Sequence, residues 1–216
     1  ISIKLFAKLS ALGVALVMTA SFASADTIQL GSYGTSAPNL GNQNSALVYE
    51  GGPSSTTYDI GTGGIWASPV ANSSWVSQNP NSAPNGGYIA PNGTYTFSTT
   101  FTLASDMYAG SIYVMADDTT DVWLNGTLVQ NFAGGPNSTC QTAQPNCRVA
   151  LLVNLPQVAF VSGVNTLTFN VHQTNESAEG LNFGGSISSV PEPGSLILLS
   201  TGLFGAAGGV FRRMRA

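Results

Sequence analysis

The chain has 216 residues, of which only 7% are charged, and its formal net charge at pH 7 is −4. Because a domain typically takes about 100 to 200 residues, this length predicts one domain together with terminal segments. Residues 26–190 contain nine acidic residues and a single cation, Arg148, which gives this segment a formal net charge of −8. Such a surface repels phosphate groups, which excludes nucleic-acid binding.

The first 25 residues have the features of a secretory signal peptide. Lys4 and Lys8 supply a short basic region, an apolar run follows over residues 9–20, and small residues precede Asp26. The apolar run is too short to cross a bilayer comfortably, which disfavours an N-terminal membrane anchor. We expect cleavage after Ala25 and export of the remaining chain.

Residues 31–91 are broken by clusters of Gly, Pro, Asn and Ser, with short strand candidates only at residues 46–50 and 56–60. This region is either a decorated edge of the domain that follows or a separate lobe. It has too few apolar runs for a core of its own, so we expect a single domain over residues 26–189.

Strand patterns dominate from residue 94 onward. The alternation of apolar and polar residues predicts strands over residues 94–103, 111–116, 121–132, 148–155, 165–173 and 180–188. Asn125-Gly126 predicts a tight hairpin within the third of these, because both residues tolerate the positive φ of a type I′ turn. Since no helical period is long enough for βαβ units, the fold class is all-β, a single antiparallel β-sandwich of jelly-roll type.

Cys140 and Cys147 are the only two cysteines. In an exported chain their spacing predicts a disulfide that closes a small loop, with two unpaired thiols as the alternative. A zinc site would need further ligands, and the chain has one histidine.

Three acidic residues, Asp117, Asp118 and Asp121, lie close together in the sequence. Acids so close are typical of turn formers or of calcium ligands, whereas the acid/base pair of a glycosidase must flank its substrate. A calcium site with Asp106 as a further ligand and simple turn chemistry are the two interpretations, and no other cofactor is expected.

Enzyme catalysis finds little support in the sequence. His172 is the sole histidine and shares one face of a predicted strand with Asn170 and Thr168, as a polar surface residue does. There is no nucleophile elbow, no P-loop and no pair of metal-binding histidines. We therefore expect a protein that is not an enzyme and has no catalytic residues.

Four aromatic residues are candidates for stacking against sugar rings, namely Trp66, Trp75, Trp123 and Tyr113. Their flat apolar faces suit a glycan, and the many Asn, Gln, Ser and Thr side chains offer partners for its hydroxyl groups. The alternative is that the tryptophans fill the core of the sandwich, and the alternation around Trp123 does not show which face is buried.

Three stretches of the second half resemble galactose-binding-like jelly-roll domains: ADDTTDVWLNGTLV (residues 116–129), GVNTLTFNVHQ (163–173) and GLNFGGSIS (180–188). Those domains show an acid-rich turn, a strand ending in Asn-Gly, and a late G-x-N-x-L strand before the final one. The resemblance covers about 80 residues. It implies a β-sandwich and, by analogy of fold, sugar binding.

The C-terminus reads VPEPGSLILLSTGLFGAAGGVFRRMRA. The motif Pro191, Glu192, Pro193, the uncharged stretch over residues 194–211 and the basic Arg212, Arg213 and Arg215 resemble the PEP-CTERM sorting signal of Gram-negative bacteria. The same region is also known as the ice-binding protein C-terminal domain. In that family an exosortase recognises the tripeptide, the apolar stretch is a transmembrane helix and the basic tail stays in the cytoplasm.

The resemblance implies a sorting signal over residues 190–216 with a transmembrane helix at 194–211, and the positive-inside rule agrees with its basic tail. We therefore expect an exported, non-enzymatic surface or extracellular-matrix protein. It is held briefly in the cytoplasmic membrane, processed by an exosortase-type enzyme, and associated with exopolysaccharide. A carbohydrate-binding module with a defined glycan ligand is the alternative.

Overall fold

Two antiparallel sheets make up most of what the computed structural model describes, which is residues 25–34, 46–49, 55–82, 86–131, 140, 145–174, 176–190 and 202. In chain order, the strands are β1 (Thr27–Gly31), β2 (Ala46–Tyr49), β3 (Ser55–Thr56), β4 (Tyr58–Asp59), β5 (Val76–Ser77), β6 (Gly93–Leu103), β7 (Tyr108–Asp117), β8 (Thr119–Leu124), β9 (Thr127–Gln130), β10 (Leu151–Leu155), β11 (Gly163–Gln173) and β12 (Gly180–Ser189). A short 3-10 helix, Gln157–Ala159, lies between β10 and β11.

The first sheet, sheet A, has the order β10-β7-β12-β5-β4, and β1 also pairs with β12. The second, sheet B, has the order β3-β2-β6-β11-β8-β9. The long pairs β6–β11 and β7–β12 are antiparallel and run without a shift of register. The predicted all-β fold with antiparallel sheets is confirmed.

Alternation along the strands gives each sheet one apolar face, and the two apolar faces pack together. Along β11, Leu167, Phe169 and Val171 are buried while the residues between them stay partly exposed. Phe169 of sheet B stacks on Phe183 of sheet A, with ring centroids 4.4 Å apart. The main core therefore lies between the sheets, as in a sandwich.

The predicted hairpin is present between β8 and β9. Asn125 and Gly126 both have positive φ, 51° and 78°. The Asn125 side chain donates to Asn165 Oδ1 (2.7 Å) and accepts from the backbone N–H of Thr166 (2.8 Å). The turn is thus joined to the start of β11, and Asn165 of the G-x-N-x-L stretch has a structural role there.

A second core covers part of the outer face of sheet A. It consists of buried residues from the β4–β5 connection, from β7 and from the cysteine loop: Ile60, Trp66, Trp75, Met115, Cys140 and Cys147. Trp66 lies directly over Gly180 of β12, where an added Cβ would come within 2.5 Å of the ring. Nearby, Asn182 Oδ1 accepts from the backbone N–H of Val70 (3.0 Å).

The loosely patterned region before residue 91 contributes to both sheets, since β1, β4 and β5 belong to sheet A and β2 and β3 to sheet B. Residues Thr27–Glu192 form one compact unit. The expected signal peptide and transmembrane helix lie outside the described residues, apart from residues 25 and 202. Within the described part of the chain, no helix has the length and apolar character needed to cross a membrane.

Candidate functional site

The four acids proposed as calcium ligands do not converge. Asp106 is exposed just before β7, whereas Asp117 is buried at the far end of the same strand. Asp117 lies on the outer side of sheet A, and Asp121, after the chain has crossed to β8, lies on the outer side of sheet B. Asp118 is buried and accepts from the backbone and hydroxyl of Thr174. The expectation of one calcium site shared by these acids is therefore corrected.

Asp121 instead pairs with the only histidine. His172 Nε2 lies 3.1 Å from Asp121 Oδ2, and His172 Nδ1 lies 3.3 Å from Thr94 Oγ1. The side chains of His172 and Asp121 are 25% and 12% exposed, so the pair is at the surface of sheet B. These contacts tie β6, β11 and β8 together across the sheet.

The outer side of sheet B contains what we call the polar face, a group of outward residues selected from its three central strands: Thr94, Thr96, Ser98, Thr166, Thr168, Asn170, His172, Asp121 and Trp123. Thr96 donates to Asn170 Oδ1 (3.0 Å), next to the Asp121–His172 pair. Most of these side chains are half-buried and uncharged. The polar face therefore offers hydroxyl and amide groups at the surface of the sheet.

The three tryptophans occupy two different environments. Trp66 and Trp75 pack against each other in the second core, with ring centroids 4.4 Å apart and residue exposures of 8% and 0%. Their rings are thus unavailable for sugar stacking, which corrects that expectation. Trp123 is half-buried on the polar face, beside Thr168, and its Nε1 has no hydrogen-bond partner in the structure as described.

Tyr113, the fourth aromatic candidate, lies on the outer side of sheet A. It is 49% exposed and faces Leu152, 46% exposed, across the β7–β10 pair. Sheet A separates it from the polar face, so Tyr113 and Trp123 do not share a surface.

Asp117 lies beside Trp66 and the two cysteines of the second core and is only 4% exposed. Trp66 Nε1–H donates to Asp117 Oδ2 (2.7 Å). Burial, together with the charge of Asp118 and a side-chain hydrogen bond to it, raises the pKa of Asp117 to about 8. A carboxyl group buried in this way favours its neutral form.

Glu179 is a second buried carboxyl group, which the sequence did not single out. It is 0% exposed, and Ser77 Oγ donates to its Oε2 (2.7 Å), while its Oε1 has no hydrogen-bond partner among the described residues. Burial raises the pKa of Glu179 to about 8. The surrounding sequence NESAEG is mostly polar and carries no clear signal of a buried carboxyl group.

The predicted disulfide between Cys140 and Cys147 is confirmed, with Cα atoms 5.3 Å apart. Both cysteines are buried in the second core, and the backbone N–H of Ala67 donates to the Cys147 carbonyl (2.8 Å). One carboxylate oxygen of Asp117 and the two Sγ atoms lie within 4.8 Å of one another. The bridge therefore lies beside a buried acid.

Residues 189–215 match the PEP-CTERM protein-sorting motif. The chain carries this sorting signal. It marks an exported protein that an exosortase recognises, as the sequence predicted. The tripeptide Pro191, Glu192, Pro193 and the basic Arg212, Arg213 and Arg215 fall within the match, although outside the residues that the structure describes.

Among solved structures, the chain is similar to the CBM36-1 domain of a multidomain xylanase from the hindgut metagenome of Trinervitermes trinervoides. The two share 16% sequence identity, and the superposition has a TM-score of 0.24 and covers 68% of this chain and 98% of that chain. No curated protein matches the chain.

The raised pKa of Glu179 predicts a fold that loses stability as the pH rises. The folded state keeps a proton up to about pH 8, whereas the unfolded chain releases it near the ordinary value of 4.5. The contribution of Glu179 to the free energy of unfolding is therefore fully present below pH 4.5 and declines as the pH rises towards 8. We expect the melting temperature to fall over that window, and Glu179→Gln to flatten part of the slope.

In Glu179→Gln, we expect Asp117 to cause the remaining dependence of the melting temperature on pH, because the pKa of Asp117 is also raised. The exposed Glu176 provides a matched control, because Glu176→Gln should leave the pH profile unchanged. Thermal unfolding monitored by circular dichroism across the window is the measurement. A Glu179→Gln profile as steep as that of the wild type would show that Glu179 is not protonated in the fold.

Proposed function

We propose that the mature domain is a non-enzymatic component of the cell surface or extracellular matrix and that it associates with exopolysaccharide. The observation that carries this proposal is the sorting motif over residues 189–215, which is typical of exported proteins that a processing enzyme recognises. In this proposal the C-terminal segment holds the protein in the cytoplasmic membrane until an exosortase-type enzyme acts on it. The released domain then joins the polymer layer outside the cell.

The charge and the side-chain chemistry of the surface favour binding to a polymer that is rich in hydroxyl groups and poor in charge. Residues 26–190 carry a formal net charge of −8, so an acidic polysaccharide would be repelled. The polar face presents Thr, Ser and Asn side chains, which donate to and accept from hydroxyl groups. A neutral glycan therefore suits this domain best.

The absence of enzymatic activity is part of the proposal and rests on the roles that the titratable groups already have. Asp117 and Glu179 are buried with protein partners, which keeps them from a substrate. His172 and Asp121 are at the surface, but they lie on an open sheet and bond to side chains of neighbouring strands. A general base also needs a site that holds a substrate against it.

A second candidate function is a carbohydrate-binding module with a defined glycan ligand. It is favoured by Trp123, because this ring lies on the polar face among hydroxyl side chains and is not part of either core. Leu128, 42% exposed, pairs with Trp123 across the β8–β9 hairpin and extends the apolar surface. Aromatic rings bordered by hydrogen-bonding groups are typical of sugar sites.

The sorting proposal predicts a defect in processing when the tripeptide is removed. Replacing Pro191, Glu192 and Pro193 together by alanine should leave the protein exported but retained at full length in the membrane fraction. Immunoblots of membrane, matrix and medium fractions of the host measure this. The double variant Pro156→Ala, Glu176→Ala removes a proline and a glutamate elsewhere and should be processed normally; normal shortening and release of the triple-alanine protein would contradict the proposal.

The two candidate functions differ in what Trp123→Ala does. In a matrix protein with many weak contacts, the variant should be retained on the host's own polysaccharide as well as the wild type. In a binding module, a stacking ring at the centre of the site contributes on the order of 1 to 3 kcal/mol, so retention should be lost while the fold persists. We expect retention to be unchanged, as measured by pull-down on the purified polysaccharide.

Trp75→Ala is the matched control for this experiment, because Trp75 is fully buried in the second core. Its truncation should cost about 3 to 5 kcal/mol of folding stability and lower the melting temperature. A Trp123→Ala protein that melts like the wild type and no longer binds the polysaccharide would replace the matrix proposal with the binding-module one.

A further inference from the structure

The chain leaves the sandwich for the sorting segment at a defined point. Directly after β12, the backbone N–H of Val190 donates to the carbonyl of Met107 (2.7 Å). Pro191 follows in the sequence, so the Pro-Glu-Pro tripeptide begins one residue beyond this hydrogen bond. We call the surface around this point the exit end, and it consists of residues 104–107 and 157–164.

The two segments of the exit end contact each other. Gln157 Nε2–H donates to the Met107 Sδ (2.8 Å), and Ser162 Oγ donates to the carbonyl of Ala104 (3.3 Å). The methionine whose carbonyl holds Val190 therefore also contacts the segment between β10 and β11. That segment lies beside the point at which the chain leaves the sandwich.

Three exposed valines, which we call the exit valines, lie on this segment. Val158, Val161 and Val164 are 93%, 45% and 64% exposed. Ala159 and Phe160, between the first two, are buried in the main core. Packing of the sandwich thus uses two residues of the segment and leaves three apolar side chains in water. Neighbouring exposed apolar side chains are typical of interaction sites, because their burial by a partner is favourable.

The exit valines are held in place by the fold. Asn165 Oδ1 accepts from the backbone N–H of Val161 (3.0 Å), and Asn165 Nδ2 donates to the carbonyl groups of Val161 (2.7 Å) and Gly163 (3.0 Å). A partner that binds a surface ordered in advance pays a smaller cost in conformational entropy. The exit end is thus suited to recognition as it stands.

The length of the chain brings any enzyme that binds the tripeptide to the exit end. Three residues span at most about 10 Å when fully extended. A folded domain of about 100 residues already has a radius of gyration of about 13 Å. Because Met107 holds Val190, an enzyme bound to residues 191–193 has its surface within reach of the exit end.

A lipid surface suits the exit end less well than a protein does. Segments that lie on membranes present Trp, Phe or Leu side chains together with Lys or Arg. At the exit end the only charged residue is the exposed Asp106, and the only aromatic residue is the buried Phe160. Anionic lipid head groups repel a carboxylate. The exit valines therefore favour a partner that offers an apolar protein surface.

We propose that the exit end is a docking surface for the exosortase-type enzyme, which binds the exit valines in addition to the tripeptide. This inference rests on the proposed function, because it takes the tripeptide as the place where the enzyme acts. The tripeptide brings the enzyme to the chain, and burial of the exit valines strengthens the complex. Efficient processing then depends on the folded sandwich as well as on the sorting segment.

The first test is a pulse-chase measurement of processing in the host. It uses the full-length chain with the exit valines replaced together (Val158→Ser, Val161→Ser, Val164→Ser). Processing should slow at least about tenfold, because each valine buried against the enzyme contributes to binding. The melting temperature should stay near that of the wild type, since the three side chains are exposed.

The matched control replaces three apolar residues that are exposed outside the exit end (Ile65→Ser, Ile89→Ser, Val149→Ser) and should be processed like the wild type. Equal slowing of both serine variants would overturn the proposal. So would wild-type processing of the exit-valine variant in a host that retains the triple-alanine tripeptide variant, and the proposed function would then still stand. Normal processing of the triple-alanine variant would contradict both.

Photo-crosslinking tests the contact itself and does not depend on a rate. Benzoylphenylalanine in place of Val158, the most exposed of the exit valines, should join the full-length chain to the processing enzyme when cells are irradiated. Mass spectrometry of the adduct identifies the partner. The same probe in place of Ile89 should give no such adduct. Adducts of the probe at position 158 with lipid alone, or with a second copy of this chain alone, would overturn the proposal.

Discussion

The hydrogen bond from the Trp66 indole to Asp117 is the contact on which the second core depends. It joins the connection between β4 and β5 to the end of β7, and both partners are buried. A buried carboxyl group that lost its donor would be left with an uncompensated desolvation cost of several kcal/mol at most, which is large against the stability of a domain. Trp75, Met115 and the disulfide pack around this pair.

The second core makes the two outer faces of the sandwich unlike each other. Sheet A is covered where Trp66 packs against Gly180 and where the loop at Val70 bonds to Asn182. The polar face of sheet B keeps partly exposed hydroxyl, amide and indole groups. A ligand that binds through its hydroxyl groups is therefore expected at sheet B, while the disulfide and the buried Asp117 lie on the outer side of sheet A.

Much of the sandwich could be predicted from the sequence, because alternation over long strands is a strong local signal. The strand over residues 165–173 and the Asn125-Gly126 hairpin follow from side-chain periodicity and turn chemistry alone, and the disulfide follows from cysteine spacing in an exported chain. The sorting motif is equally local, since it is read from consecutive residues.

The site residues were harder to predict because their positions depend on which sheet a strand joins. Asp117 and Asp121 are four positions apart, yet the chain passes from sheet A to sheet B between them, so their side chains lie on opposite outer faces. The connection between β4 and β5 buries Trp66 and Trp75 against the outer face of sheet A. The alternation of residues along the strands alone would predict that this face is exposed to solvent. Glu179 is buried by partners distant in sequence, such as Ser77.

The central claim is that a second core covers one part of the outer face of sheet A and leaves the other part open. Met115 and Tyr113 test it directly, since they lie two positions apart on that face, with exposures of 2% and 49%. Hydroxyl-radical footprinting by mass spectrometry, with each residue normalised to the urea-unfolded chain, measures both at once. The account predicts strong protection of Met115 and ready oxidation of Tyr113; equal oxidation of the two residues in the folded protein would contradict it.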